Sequence, residues 1–384
     1  MIEWKKKNLS EFVTFQRGYD LPQYNFINGA VPVYGSTSIL GYHNESKVKF
    51  PGVITGRSGT LGKFQYSKKD FWPHNTTLWV KDFKGNDPKF SYYLMQSLDF
   101  SELNGGGAVP TLNRNVLSSF KLNVPELNTQ KKIGNYLFNY DELIKNHYKK
   151  IKLYEEYCKL TFEELFLRYK KNGKKLKLNK KTNLPNFWTK LILDDYTDII
   201  SKGPSLNYDI KNFKGVEVLN QKSVNYGEIE LKSILIAREL SKEKDTYYLK
   251  INDILVNSMG QGTLGRVSKN VSINKKMIIH NCITFLRAKK KYSQFLLFYF
   301  ISAHQDYFEV VAHGSTGQTT LKEKDIKKLY IPLPDEKFLK EFDSLIEPIW
   351  KKIGVLKKKI YLLEQVKRIY RPRLTTGFIN TNKL

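Results

Sequence analysis

Apolar residues stand at alternating steps of four and three from Ile133 through Leu137, Tyr140, Ile144, His147, Ile151 and Tyr154 to Cys158. That spacing is a heptad seam and predicts a long helix with one apolar stripe. It returns at Phe342, Ile346, Ile349, Ile353, Leu356, Ile360 and Leu363, so a second such helix is expected. Each could run roughly 30 to 40 residues, on the order of 45 to 60 Å. Asn128 and Asp335 are the expected starts, because a short polar side chain there can accept otherwise unpaired backbone N–H groups. Pro348 should kink the second helix or mark a late start for its regular part, since it removes one helical hydrogen bond.

Ahead of each helix lies a zone rich in Gly, Tyr, Phe and Val, punctuated by turn signals such as Asn28-Gly29, Lys84-Gly85-Asn86 and Gly105-Gly106-Gly107. This zone reads as strand-rich and globular. Helix and zone are both written twice. Thr111-Leu112 recurs as Thr320-Leu321, and Phe120 to Pro125 recurs as Leu329 to Pro334, at one constant offset that carries on into the seam. Gly59-Thr60-Leu61-Gly62 returns as Gly262-Thr263-Leu264-Gly265, and His74-Asn75 as His280-Asn281, with small changes of offset that fit loop insertions. Trp4 and Trp188 open the two copies, and each opening pattern ends at a basic residue and a glycine, Arg17-Gly18 and Lys202-Gly203. Between the copies, Lys170-Lys171-Asn172-Gly173-Lys174-Lys175, with Lys177, Lys180 and Lys181, reads as a solvated linker that cannot pack.

The formal net charge is +27, from 64 Lys and Arg against 37 Asp and Glu. Such an excess points to a polyanionic partner, nucleic acid first, because cations that neutralise phosphates release condensed counterions. No apolar run is long enough to span a membrane and the opening Met1-Ile2-Glu3-Trp4-Lys5 lacks a signal-peptide core, so a cytoplasmic protein is expected. Cys158 and Cys282 stand far apart and form neither a disulfide framework nor a zinc pattern.

Gly260-Gln261-Gly262-Thr263-Leu264-Gly265 is literally a dinucleotide-binding string, but the chemistry needs a helix after it to hold the pyrophosphate. The alternating, β-branched run from Arg266 to Ile273 predicts a strand instead, and hence a tight glycine turn. Such a turn can bring Arg57, Gln261 and Arg266 to a ligand or be a plain hairpin. His74-Asn75 and His280-Asn281 have no nucleophile or metal ligand at suitable spacing, which favours a structural histidine or a polar DNA contact over a general base. Glu45-Ser46-Lys47 with Asp20 is a weak nuclease-like string, and there is no phosphate-binding loop or adenine-methyltransferase string. No catalysis, metal or cofactor is therefore expected of this chain.

Two loops have the makings of a base-reading surface: Gly105 to Arg114, and His313 to Lys322. The DNA-binding candidates are Arg17, Tyr19, Arg57, Ser58, Lys63, Thr111, Asn113 and Arg114 in the first copy, with Lys202, Gln261, Arg266, Ser315, Thr316, Gln318, Thr319 and Lys322 in the second. Arg, Gln and Asn suit base edges, whereas Ser, Thr and Lys more often fix phosphates.

The duplicated order of Trp4 with Phe15 to Pro22, the paired Gly-Thr-Leu-Gly turns and the Ile331-Pro332-Leu333-Pro334 entry to a heptad helix resembles the specificity subunits of type I restriction-modification systems. The resemblance covers nearly the whole chain. It departs at Val124-Pro125-Glu126, where the family usually has a second proline, and at Pro348. It implies an α+β fold of two strand-rich target-recognition domains, each followed by a long helix, the helices pairing as an antiparallel coiled coil. The implied division is a first recognition domain at 1–125, spacer helix 126–171, basic linker 172–187, second recognition domain 188–334, spacer helix 335–373 and C-terminal tail 374–384. A non-catalytic DNA-specificity subunit is implied, reading an asymmetric bipartite duplex site. It would hold two adenine-N6 methyltransferase subunits, which carry S-adenosylmethionine, and a motor-nuclease subunit. The alternatives are the recognition subunit of an enzyme that cleaves both sides of its site, or a stand-alone nuclease, whose acidic metal cluster is not found. A pure coiled-coil scaffold leaves the charge unexplained.

Overall fold

A computed structural model describes residues 3–57, 62–98, 120–209, 211, 214–225, 227–229, 231, 233–260, 262–314 and 319–379. The chain forms two compact units, Met1–Asn146 with Ile360–Leu384, and His147–Lys359.

In the first unit β1 (Trp4–Asn8) pairs antiparallel with β9 (Lys121–Pro125), whose Leu122 and Val124 are buried while Lys121 and Asn123 face out. The period of two is that of a strand with one covered face. After α1 (Leu9–Phe12), a four-stranded antiparallel sheet runs in the order β2 (Thr14–Arg17), β8 (Thr77–Asp82), β5 (Gly52–Gly56), β6 (Phe64–Ser67). A three-stranded sheet has β3 (Val31–Tyr34) between β4 (Ile39–His43) and the parallel β7 (Trp72–Pro73). Asp87 starts α2 (Pro88–Met95): its carboxylate accepts the Phe90 N–H at 2.8 Å, and Pro88 occupies the first helical position.

The second unit repeats this plan. Past β10 (Lys170–Lys171) and β11 (Lys174–Lys175), β12 (Thr189–Ile192) pairs with β22 (Tyr330–Leu333) as β1 pairs with β9. The short α4 (Leu193–Tyr196) leads to a four-stranded sheet ordered β13 (Thr197–Lys202), β21 (Ile283–Ala288), β18 (Ile254–Asn257), β19 (Val267–Lys269). The three-stranded sheet sets β14 (Gly215–Leu219) between β17 (Leu235–Arg238) and the parallel β20 (Met277–Ile279). A two-stranded addition, β15 (Val224–Asn225) with β16 (Glu228–Ile229), and the helices α5 (Gln294–Ala303), α6 (Gln305–Val311) and α7 (Glu323–Lys327) complete it.

Two long helices follow the sheets, α3 (Leu127–Phe162) and α8 (Glu336–Thr375). Both units take a part of each. In the first unit Ile133 and Leu137 of α3 share a core with Leu374 of α8, and the Lys367 ammonium meets Asp141. In the second, Glu155 faces Lys357, while Phe166, just past α3, meets Phe342 with ring centroids 4.9 Å apart. Ascending positions on one helix thus meet descending positions on the other, an antiparallel pairing. Every seam position named from the sequence is buried or half-buried, whereas Leu143, Leu153, Leu345 and Leu362 are exposed. Among the described residues no helix is long and apolar enough to cross a membrane.

Three expectations are corrected. Asp335 does start α8, accepting the Phe338 N–H at 2.9 Å, but α3 begins before Asn128, with Glu126 O taking the Gln130 N–H at 3.0 Å. Helix α8 runs unbroken through Pro348, which is exposed between buried Ile346 and Trp350, so the covered stripe holds the helix across the missing bond. The lysine-rich linker is folded. Asn172 and Gly173 both take positive φ, the turn a two-residue hairpin requires, and Lys171 lies over the Phe338 ring at 5.1 Å and pairs with Glu341.

One buried cation belongs to this packing. Lys269 is 1% exposed, its ammonium set against Asn252 Oδ1 and the rings of Phe295 and Trp350 at 4.8 and 5.7 Å. Burial pushes its pKa down to about 7, against the pull of Asp253 and Glu347. Between that value and 10.5 the unfolded chain holds a proton that the folded chain releases, so this group's contribution to stability rises with pH there and is lowest below about 7.

Replacing Phe342 with Ala should cost about 3–5 kcal/mol of stability, against under about 1 for Leu345→Ala on the exposed face. Urea unfolding decides this, and equal losses would refute the seam. For Lys269→Met, stability relative to the parent should be most favourable near pH 6 and decline steadily towards pH 10. A difference that does not change with pH would show that Lys269 keeps its proton throughout.

Candidate nucleic-acid interface

The repeated basic-glycine and His-Asn pairs meet in space. Strand β2 ends at Arg17, and the Gly18 N–H donates to Thr77 O at 3.0 Å. A side chain cannot fit at Gly18, where a Cβ would lie 2.1 Å from His74 O. In the second unit Gly203 N–H donates to Ile283 O at 3.1 Å, and a Cβ there would lie 2.0 Å from Ile279 O. Both glycines are thus required by close backbone approach.

The histidines hold the turns that the glycines touch. His74 N–H donates to Tyr34 O at 2.9 Å and His280 N–H to Leu219 O at 3.0 Å. Nδ1 of His74 lies 3.1 Å from Thr76 Oγ1, and Nδ1 of His280 accepts the Cys282 N–H at 3.2 Å. Burial pushes the His280 pKa down, which keeps that imidazole a neutral acceptor. These are structural histidines, each with one ring nitrogen engaged in its own turn.

Around the first turn, Arg17 Nε donates to Asn75 O at 3.3 Å and the Asn75 amide to Asp20. Tyr19 N–H donates to Pro73 O at 2.8 Å, and its hydroxyl accepts from Gln16 Nε2 at 3.1 Å. Arg57 N–H reaches Thr76 O at 2.9 Å, and Lys63 is exposed beyond it. Asp20 is engaged by Asn75, and Lys47 lies over the Trp72 ring at 4.9 Å.

In the second unit the dinucleotide-like string is a hairpin loop between β18 and β19, with positive φ at Gly260, Gly262 and Gly265. A strand follows it, not a helix. Gly265 N–H donates to Asn257 O at 2.8 Å, and Arg266 Nη2 to Gly262 O at 2.8 Å. Leu321 N–H reaches Ser258 O at 2.9 Å, which brings Thr319 and the exposed Lys322 beside this loop. Lys202 joins them through its N–H, donated to Glu323 Oε1 at 2.7 Å, and burial pushes its ammonium pKa down while Glu323 raises it. The backbone of Lys202 and the segment around Leu321 to Glu323 thus lie next to one another and to the loop that carries Arg266. Ser58, Thr111, Asn113, Arg114, Gln261, Ser315, Thr316 and Gln318 lie outside the described residues.

Two features of this region escaped sequence reasoning. Arg287 grips Asp253 through Nε at 2.7 Å and Nη2 at 2.8 Å and donates to Thr246 O and Tyr248 O, so it is a structural clamp. Nothing local in the sequence announces a pair 34 residues apart. Asn257, fully buried, donates its amide to Gln221 O at 3.0 Å and ties the segment after β14 to the hairpin.

Two modules of one design, each with a glycine turn beside basic side chains, define a duplicated recognition scaffold. A family model described as the type I restriction modification DNA specificity domain matches twice, over residues 1–156 and 185–360. The chain belongs to that family. The type I restriction enzyme MjaIX specificity subunit of Methanocaldococcus jannaschii is 24% identical over 321 residues, 77% of this chain and 70% of that protein. The EcoBI specificity subunit of Escherichia coli is 27% identical over 202 residues, 49% of this chain and 40% of that protein. The crystal structure of a type I restriction-modification S subunit from M. genitalium has the same fold, with a TM-score of 0.65 at 14% identity over 97% of this chain and 96% of that one.

Gly18→Ala and Gly203→Ala should each lower stability by about 1–3 kcal/mol, because the added carbon must push two backbone segments apart. Thermal unfolding measures this; a variant as stable as the parent would mean that the turn relaxes freely.

Proposed function

We propose that this chain is the DNA-specificity subunit of a type I restriction-modification complex and reads an asymmetric, two-part duplex site. The carrying observation is the duplication itself: two sheets of the same order and the same turn, edged by different side chains. One chain then offers two similar readers with unlike chemistry, which suits two unlike half-sites.

Each unit grips phosphates electrostatically, drawing on the +27 charge, and its loops test base edges. Arg17, Tyr19, Arg57, Ser58, Lys63, Thr111, Asn113 and Arg114 serve the first half-site; Lys202, Gln261, Arg266, Ser315, Thr316, Gln318, Thr319 and Lys322 serve the second. The paired long helices act as the spacer and hold two adenine-N6 methyltransferase subunits, with motor-nuclease subunits joining the core. Methyl transfer, base extrusion and S-adenosylmethionine binding belong to the methyltransferase partner. This chain contributes position and sequence preference in the cytoplasm and performs no chemistry.

Coexpression with the methyltransferase encoded beside it, followed by mapping of methylated adenines, tests this. A gapped, asymmetric motif that disappears without this chain is expected. Exchange of residues 105–114 should then alter one half of the motif only. Methylation indifferent to the chain, with no copurifying methyltransferase, would overturn the proposal.

A further inference from the structure

Matching backbone hydrogen bonds pairs the two units residue by residue. His74 donates to Tyr34 O as His280 donates to Leu219 O, and Arg57 to Thr76 O as Ser258 to Cys282 O. Two residues beyond Tyr34 and Leu219 stand Ser36 and Gln221. Ser36 lies against the end of β5 and Gln221 against the loop after β18: a Cβ on Gly56 would come within 2.9 Å of Ser36 Cβ, and one on Gly260 within 3.0 Å of Gln221 Nε2. The place is shared, but the side chain is not.

Ser36 turns its hydroxyl inward and donates to Thr76 O at 3.1 Å. Gln221 is anchored through its backbone, whose carbonyl takes the Asn257 amide at 3.0 Å. The residue is half-buried, and its side-chain amide has no hydrogen-bond partner among the described residues. Gly260, at φ +106°, lets the amide approach that hairpin closely, and Leu321, next to the exposed Lys322, is tied to Ser258 at its edge. A fixed backbone that carries an amide with no partner among the described residues has what reading a base edge requires. The amide supplies a donor and an acceptor in one plane, the pattern adenine presents in the major groove.

Resting on the DNA reading above, we infer that Gln221 is a specificity-determining residue of the second half-site and contacts an adenine. Ser36, closed on Thr76, leaves the corresponding position of the first half-site unread.

Gln221→Ser and Gln221→Glu in the complex assembled with its methyltransferase test this. The readouts are the methylated motif and binding to duplexes carrying each single base-pair change. With Gln221→Ser, discrimination at one A·T pair of the second half-site should fall at least about tenfold, with the first half-site unchanged. Gln221→Glu keeps the shape but only accepts, so preference at that pair should move from adenine towards cytosine. An equal loss for all sequences would make Gln221 a phosphate contact, and an unaltered motif would make it a bystander. Either result overturns the inference and leaves the DNA reading standing. A parent complex whose motif does not depend on this chain defeats the DNA reading and the inference together.

Discussion

The ring of Phe342 packed on Phe166 stands for the constraint that governs the rest of the molecule. A helix with one apolar stripe cannot cover it alone, and α3 and α8 carry such stripes over 36 and 40 residues. Each unit therefore completes its core with helix from both repeats: Ile133, Leu137 and Leu374 share one, and Phe166, Phe338 and Phe342 cluster in the other. The repeats are consecutive in sequence, but neither can bury its own helix. Folding one half without the other would leave a stripe in water.

On that frame the rims are built from main-chain geometry. Gly18 and Gly203 are pressed against carbonyl oxygens, and His74 and His280 close the turns that present those oxygens. Within the second unit the Asp253–Arg287 clamp pairs its charges directly, whereas the buried Lys269 rests on Asn252 and aromatic faces that do not offset its desolvation. Cations near the surface are thus of two kinds. Some are spent on the fold, such as Arg287, and others, such as Lys322, remain exposed.

Much of this was legible beforehand because it rests on periodicity and on residues with few alternatives. The seam at Phe342, Ile346 and Ile353 follows from spacing, and the hairpin at Gly260–Gly265 from the β-branched run after it. Other features were hidden for physical reasons. Pro348 suggests a kink or a late start because it removes one bond, yet α8 begins at Glu336 and continues through it, with Ile346 and Trp350 buried on either side. The lysines near Asn172-Gly173 suggest solvent, but the two residues between them both take the conformation that a tight hairpin demands. Asp253 with Arg287, and Gln221 with Asn257, are meetings of distant residues that no local pattern encodes. The candidates Ser58, Thr111, Asn113, Arg114, Gln261, Ser315, Thr316 and Gln318 rest on the sequence alone and lie outside the described residues.

The turns shared by the two units are fastened by N–H to C=O bonds, which ask nothing of most side chains. Two copies could therefore drift until little but the glycines and the His-Asn pair remained recognisable, without loss of shape. Inheritance here acts on two separable layers. The main-chain frame that the two units share fixes where a side chain stands, and the side chain itself decides what it meets. Novelty can accumulate in the second while the first stays almost silent to selection on the partner sequence.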